Sequence, residues 1–182
     1  VAPFKDVPAG YWAESVIRTA VSKGYVSGYP DGTFKPDQNV TRAEFMRMLV
    51  SALKLPHDPE GSPWYQPYVA ALVDAGIHRT QDFGGNFNKP LTRFEMVKLA
   101  VRAVEESYRT GEVEEDPNYM VYQAAKKGIL HGISAGNLDL EGTTTRAQAV
   151  AIIERILAVR GGRTLPVDKY ALGNAELLWH RT

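Results

Sequence analysis

Gly24, Gly76 and Gly128 stand 52 residues apart, and Gly32, Gly84 and Gly136 keep the same interval. A chain that repeats itself at this spacing folds as copies of one supersecondary unit sharing a core with its neighbours. A four-residue phrase follows in each copy: Thr41-Arg42-Ala43-Glu44, Thr92-Arg93-Phe94-Glu95 and Thr145-Arg146-Ala147-Gln148. Arg42 and Arg146 lie 104 apart, so the first and third copies align without a gap, whereas the second has lost one residue before Thr92.

Each phrase is a helix start. A Thr N-cap followed three residues later by Glu or Gln, ahead of an apolar run, is a capping box. The runs are Phe45, Leu49, Val50 and Leu53; Val97, Val101 and Val104; and Ile153, Ile156 and Leu157. An earlier helix is predicted in each copy from apolar pairs at helical spacing. These are Val16, Ile17, Ala20 and Val21; Tyr68, Val69, Leu72 and Val73; and Met120, Val121, Ala124 and Ala125. Gly24, Gly76 and Gly128 fall where a left-handed residue ends a helix. Between the helices of the first copy runs Gly28-Tyr29-Pro30-Asp31-Gly32-Thr33-Phe34, whose Pro-Asp-Gly is a turn. The fold expected is all-α: three helix-loop-helix repeats over 1–55, 56–108 and 109–160, and a tail over 161–182. Leu165-Pro166-Val167-Asp168 echoes Leu55-Pro56-His57-Asp58, so the tail reads as an unfinished fourth copy, packed down by Leu177, Leu178 and Trp179.

Capping does not require the arginine after each Thr. A helix N-terminus attracts anions through free N–H groups and its dipole. A guanidinium beside it adds a fork suited to carboxylate or phosphate. Arg42, Arg93 and Arg146 are therefore candidate anion ligands. The alternative is that each forms a salt bridge tying one repeat to the next.

Other classes find little support. Lys plus Arg equals Asp plus Glu, 21 against 21, so no bulk charge points to nucleic acid. No apolar stretch approaches the roughly 18–20 residues of a membrane span. There is no cysteine for a disulfide or thiolate metal site. His57, His78, His131 and His180 lack metal-ligand spacing, and no nucleophile, phosphate-loop or dinucleotide motif occurs. No catalytic residue, metal or cofactor is expected.

Phe4-Lys5-Asp6-Val7, Trp12-Ala13, Gly28 to Pro36 and Val40 to Glu44 together resemble the S-layer homology repeat. The second copy keeps Asp58 and Trp64 but has Gln81-Asp82-Phe83-Gly84 in place of the turn; the third keeps Gly132 yet has Asp116 at the Trp register. The resemblance implies a monomeric, trimer-like arrangement about a pseudo-threefold axis, with first helices in a central bundle and grooves between repeats. It also implies a secreted cell-surface module that anchors proteins to secondary cell-wall polysaccharide. The partner is then an anionic glycan linked to peptidoglycan and bearing pyruvate ketals on N-acetylmannosamine, with the arginines as principal contacts.

A ketal pyruvate is a carboxylate on a neutral sugar, so sugar contacts are needed beside the charge. Trp12, Trp64 and Tyr29 offer aromatic faces; Asp6 and Asp58 accept from hydroxyls; Gly28 and Gly132 let a sugar approach backbone N–H groups. The competing roles are core packing for the tryptophans, capping or bracing for the aspartates and turn geometry for the glycines. A protein-interaction module for surface-layer assembly, without glycan recognition, is the alternative function.

Overall fold

The structure, a computed structural model, describes residues 3–181. Among these are eight α-helices and no strand: α1 Glu14–Lys23, α2 Arg42–Leu53, α3 Gln66–Asp74, α4 Arg93–Val104, α5 Glu106–Thr110, α6 Pro117–Lys126, α7 Arg146–Arg160 and α8 Lys169–His180. The all-α expectation and the helix-loop-helix order of each repeat hold.

All three capping boxes form. The Oγ of Thr41, Thr92 and Thr145 accepts from the N–H of Glu44, Glu95 and Gln148, whose side chains accept in return from the Thr N–H. Gly24 ends α1 at φ 83, a left-handed conformation that costs glycine little.

The residues just before the capping boxes close a ring. The Val40 N–H donates to the Thr144 carbonyl at 2.9 Å, Thr144 to Leu91 at 2.9 Å, and Leu91 to Val40 at 3.0 Å. One residue from each repeat thus satisfies the next, and Val40, Leu91 and Thr144 are all fully buried. Such a ring takes one residue from each of the three copies.

The interior belongs to the second helices. α7 packs against both α2 and α4, and each first helix lies on a second helix: α1 on α7, α3 on α2, α6 on α4. This differs from the implied central bundle of first helices. The reason is hydrophobic. α7 buries Ala147, Ala149, Val150, Ala151, Ile152, Ile153 and Ile156 on several sides, while α1 buries only Ile17 and Ala20. Each large aliphatic side chain so buried contributes about 1.5–3 kcal/mol.

The tail forms α8. The helix it would occupy as a fourth copy lies against α7, where α1 already sits, so α8 packs on α6 instead. Ala171 and Ala175 are buried there and Trp179 stacks on Tyr122 at 4.9 Å. Leu177, expected to pack the tail down, is 55% exposed. The short α5, not foreseen in the connector, buries Tyr108.

Candidate functional site

The three arginines each reach into the loop of the following repeat, and the last reaches back to the first. The Arg42 guanidinium donates to the carbonyls of Phe83 and Asn86 and forms a salt bridge with Glu95. Arg93 donates through Nε to Leu138 O at 2.9 Å and through Nη2 to His131 O at 2.7 Å. Arg146 repeats this with Phe34 O at 2.8 Å and Ser27 O at 2.7 Å, its guanidinium also facing the rings of Phe34 and Tyr29.

The helix N-termini themselves hold no free amide, which corrects the expectation of an anion site built on them. The N–H groups of Arg42 and Ala43 donate to the carbonyls of Lys89 and Phe87; those of Arg93 and Phe94 to Gly142 and Leu140; those of Arg146 and Ala147 to Gln38 and Pro36. With the third amide bound by Thr and the Thr N–H by Glu or Gln, the first turn is saturated. Buried helix ends require such partners. Here the adjacent repeat supplies them.

What remains open is the outer edge of two guanidinium groups. Arg93 is 4% and Arg146 8% exposed, and neither has a carboxylate partner among the described residues. Burial works against the charge of both, pushing their pKa down. In each, Nη1 has no protein partner among the described residues. Arg42 differs, because Nε, Nη1 and Nη2 are all engaged.

Each of these two arginines lines a cavity, of about 310 Å³ for Arg93 and about 420 Å³ for Arg146. The cavities are copies. Ser27, Gly28 and Tyr29 line the Arg146 cavity, and His131, Gly132 and Ile133, each 104 residues on, line the other. From the second helix come Glu44, Arg47, Met48 and Ser51 in one, and Gln148, Ala151, Ile152 and Arg155 in the other, again 104 residues on. A tryptophan of a further repeat lines the Arg93 cavity, and beside the other the corresponding ring meets one of the lining residues. Trp12 lines the Arg93 cavity, and Trp64 lies under the Arg47 guanidinium at 4.8 Å. Exposed by 61% and 44%, neither tryptophan is a core residue.

The third position is filled. Arg79 and Arg102 stand where the other copies have Ser27 or His131, and Ser51 or Arg155, and Asp116 takes the tryptophan register. All five N–H donors of Arg102 are engaged: to Glu115 Oε2 and Oε1 at 2.8 Å, to Asp82 at 2.6 and 3.1 Å, and to Ile77 O at 3.0 Å. Arg79 pairs with Glu115, and buried His78 lies 3.2 Å from Asp82. Burial alone would raise the Asp82 pKa, but the nearby His78 ring and hydrogen bonds from Arg102 and the Arg79 N–H hold it far below the ordinary value. Glu115 is held down likewise by Arg102 and Arg79 against its own burial.

The remaining sequence candidates divide. Tyr29 lines the Arg146 cavity, and its hydroxyl accepts from Gln38 at 3.0 Å. Both oxygens of Asp6 accept backbone N–H groups, from Phe34 and Lys35 at 2.9 Å, so Asp6 braces the loop from within its own repeat. Asp58 is exposed and lines neither cavity. The Gly132 N–H donates to Asp168 at 2.9 Å, so it does not face a ligand. A Cβ there would meet the Gly136 backbone at 2.6 Å, and one at Gly28 would clash with the Phe4 ring. Close approach of the Phe4 ring at Gly28 and of the loop backbone at Gly132 leaves no room for a side chain at either position.

Sequence reasoning missed His131, Arg47 and Arg155. The signal lay in aligning the second helices column by column: Ser51, Arg102 and Arg155 share one register, and two of them are arginine on an inward face.

Residues 3–46 match the family model of the S-layer homology domain. Over most of the chain's length it is similar to the S-layer protein of Bacillus thuringiensis subsp. finitimus, 30% identical over 176 residues, covering 84% of this chain and 21% of that protein. The S-layer protein sap of Bacillus anthracis is 31% identical over 169 residues, covering 84% and 21%. Exoglucanase XynX of Acetivibrio thermocellus is 31% identical over 175 residues, covering 85% and 16%. The chain thus spans about a fifth of the length of the curated relatives it matches.

Proposed function

Because this chain carries an S-layer homology domain at residues 3–46, we propose that it is a cell-surface anchoring module that grips an acidic wall glycan in its two copied cavities. The glycan is a secondary cell-wall polysaccharide with ketal-pyruvyl N-acetylmannosamine. Its carboxylate meets the free Nη1 edge of Arg93 or Arg146, and its sugar ring lies against Trp12 or beside Trp64. The closed ring of hydrogen bonds supports a three-pronged arrangement in which two of three inter-repeat grooves are open. Relatives of two kinds, surface-layer proteins and an exoglucanase, share this region, which fits an anchor carried by different cargoes.

The observation that carries the reading is the pair of buried guanidinium groups lacking a carboxylate, each lining a cavity of sugar size. A buried charge without a partner is costly, and an anionic ligand relieves that cost. One charge-assisted hydrogen bond is worth about 1.5–3 kcal/mol, which gives weak binding at one cavity. Two cavities on one polymer multiply this through effective concentration. Co-sedimentation with purified cell walls tests the proposal. The chain pellets with intact walls, stays in solution once the wall polymer is extracted, and fails to pellet as Trp12→Ala/Trp64→Ala. Equal sedimentation with extracted walls would refute it.

A further inference from the structure

The two cavities are copies in residue register but not in charge. Glu44 lines the Arg146 cavity together with Arg47, while its counterpart in the other is the neutral Gln148. Arg155 replaces Ser51, and His131 replaces Ser27. The Arg93 cavity is thus lined by two guanidinium groups and an imidazole and by no carboxylate. Arg155 has one protein bond, from Nη1 to Ile129 O at 3.2 Å. His131 keeps its Nε2 buried without a hydrogen-bond partner among the described residues. Neighbouring positive charge is felt within the site: beside the larger effect of burial, Arg93 pushes the pKa of Arg155 down, and Arg155 that of His131, while Asp139 and Asp168, outside the cavity lining, act in the opposite sense on Arg93 and His131 and leave Arg155 without a carboxylate.

Resting on the glycan reading above, we infer that the Arg93 cavity is selective for a glycan unit bearing two negative charges close together, whereas the Arg146 cavity takes a singly charged one. Two like charges confined in about 310 Å³ repel unless anions lie between them. One carboxylate on Arg93 leaves Arg155 unmatched, and a second anionic group on the same or the adjoining sugar matches it. In the Arg146 cavity the carboxylate of Glu44 already offsets one guanidinium. A polymer alternating in charge would therefore seat in one register.

Three tryptophans give three indole N–H signals; Trp12 lines the Arg93 cavity and reports it directly, and Trp64, under the lining Arg47 of the Arg146 cavity, reports that one through Arg47. The probes are the methyl glycoside of ketal-pyruvyl N-acetylmannosamine, its anomeric methyl phosphodiester, and its disaccharide with glucuronic acid. The Trp12 signal titrates at least tenfold tighter with one or both dianions than with the monoanion, and the Trp64 signal does not discriminate. The arm that gains most identifies phosphate or carboxylate as the second group. Arg155→Ser, which copies Ser51, removes the preference, and His131→Ser weakens it. Ser51→Arg leaves the chain folded and moves the Trp64 response towards the dianion. Equal affinities at Trp12, or an unchanged preference in a folded Arg155→Ser, overturn the charge assignment while leaving glycan binding standing. If neither signal moves with any probe, the glycan reading itself fails and this inference with it.

Discussion

Replacing Arg102 with methionine keeps the stem and removes every donor of a guanidinium that is 2% exposed. Left behind are Asp82 at 8% exposure and Glu115 at 19%, together with the Ile77 carbonyl. Arg79 still pairs with Glu115, so the uncompensated charge falls mainly on Asp82. Removing one partner of a buried ion pair costs roughly 3–5 kcal/mol, chiefly because a charge is left buried. For a chain of 182 residues each kcal/mol lowers Tm by about 2–4 °C, so Arg102→Met is expected to melt roughly 6–20 °C lower. Calorimetry and urea denaturation measure this. Adding Asp82→Asn and Glu115→Gln to Arg102→Met recovers part of the loss, since no buried charge then stands alone. A single-variant loss below about 1 kcal/mol would refute the argument that the ion cluster closes the third groove as a buried network.

The same cluster sets the acid limb. Asp82 and Glu115 have pKa values depressed from ordinary values of 3.8 and 4.5, so their stabilisation is complete above those values and is lost as pH falls through the folded-state ones. Thermal melts from pH 7 to 2 are expected to decline below about pH 5, and less steeply in a variant with all three cluster positions neutral. Thr92→Ala removes the N-cap of α4 and costs about 1 kcal/mol by urea denaturation; no measurable change would mean that the ring holds the helix start unaided. Trp12→Ala, at a surface position, leaves Tm nearly unchanged and weakens monosaccharide binding at the Arg93 cavity by roughly 3–10-fold, read by calorimetry.

The repeat register, the capping boxes and the helix order were legible because each rests on local chemistry. A Thr three residues before Glu95 needs nothing distant to cap α4. The arginines were legible as special but not as to how. Their backbone neighbours turned out to be satisfied by carbonyls 44 to 111 residues away, as when Ala147 meets Pro36, and no local pattern announces such a partner. The sequence reading set anion ligand against inter-repeat salt bridge, and for Arg93 and Arg146 the tie between repeats runs through backbone carbonyls, not through a carboxylate. Each ties its own helix start to the loop of another repeat with one edge of the guanidinium and lines a cavity as well. Arg42 alone meets a carboxylate across the interface. Arg155 and His131 escaped notice because a lone cation on a helix and a lone histidine in a loop acquire meaning only once the third copy is laid over the first.

Stoichiometry tests the central claim most directly. Titrating ketal-pyruvyl N-acetylmannosamine into the chain by calorimetry is expected to give two sites, of which one alone weakens when Trp12 is replaced by alanine. Three sites would contradict the closed third groove, and none would contradict the assignment of the two cavities to an acidic glycan.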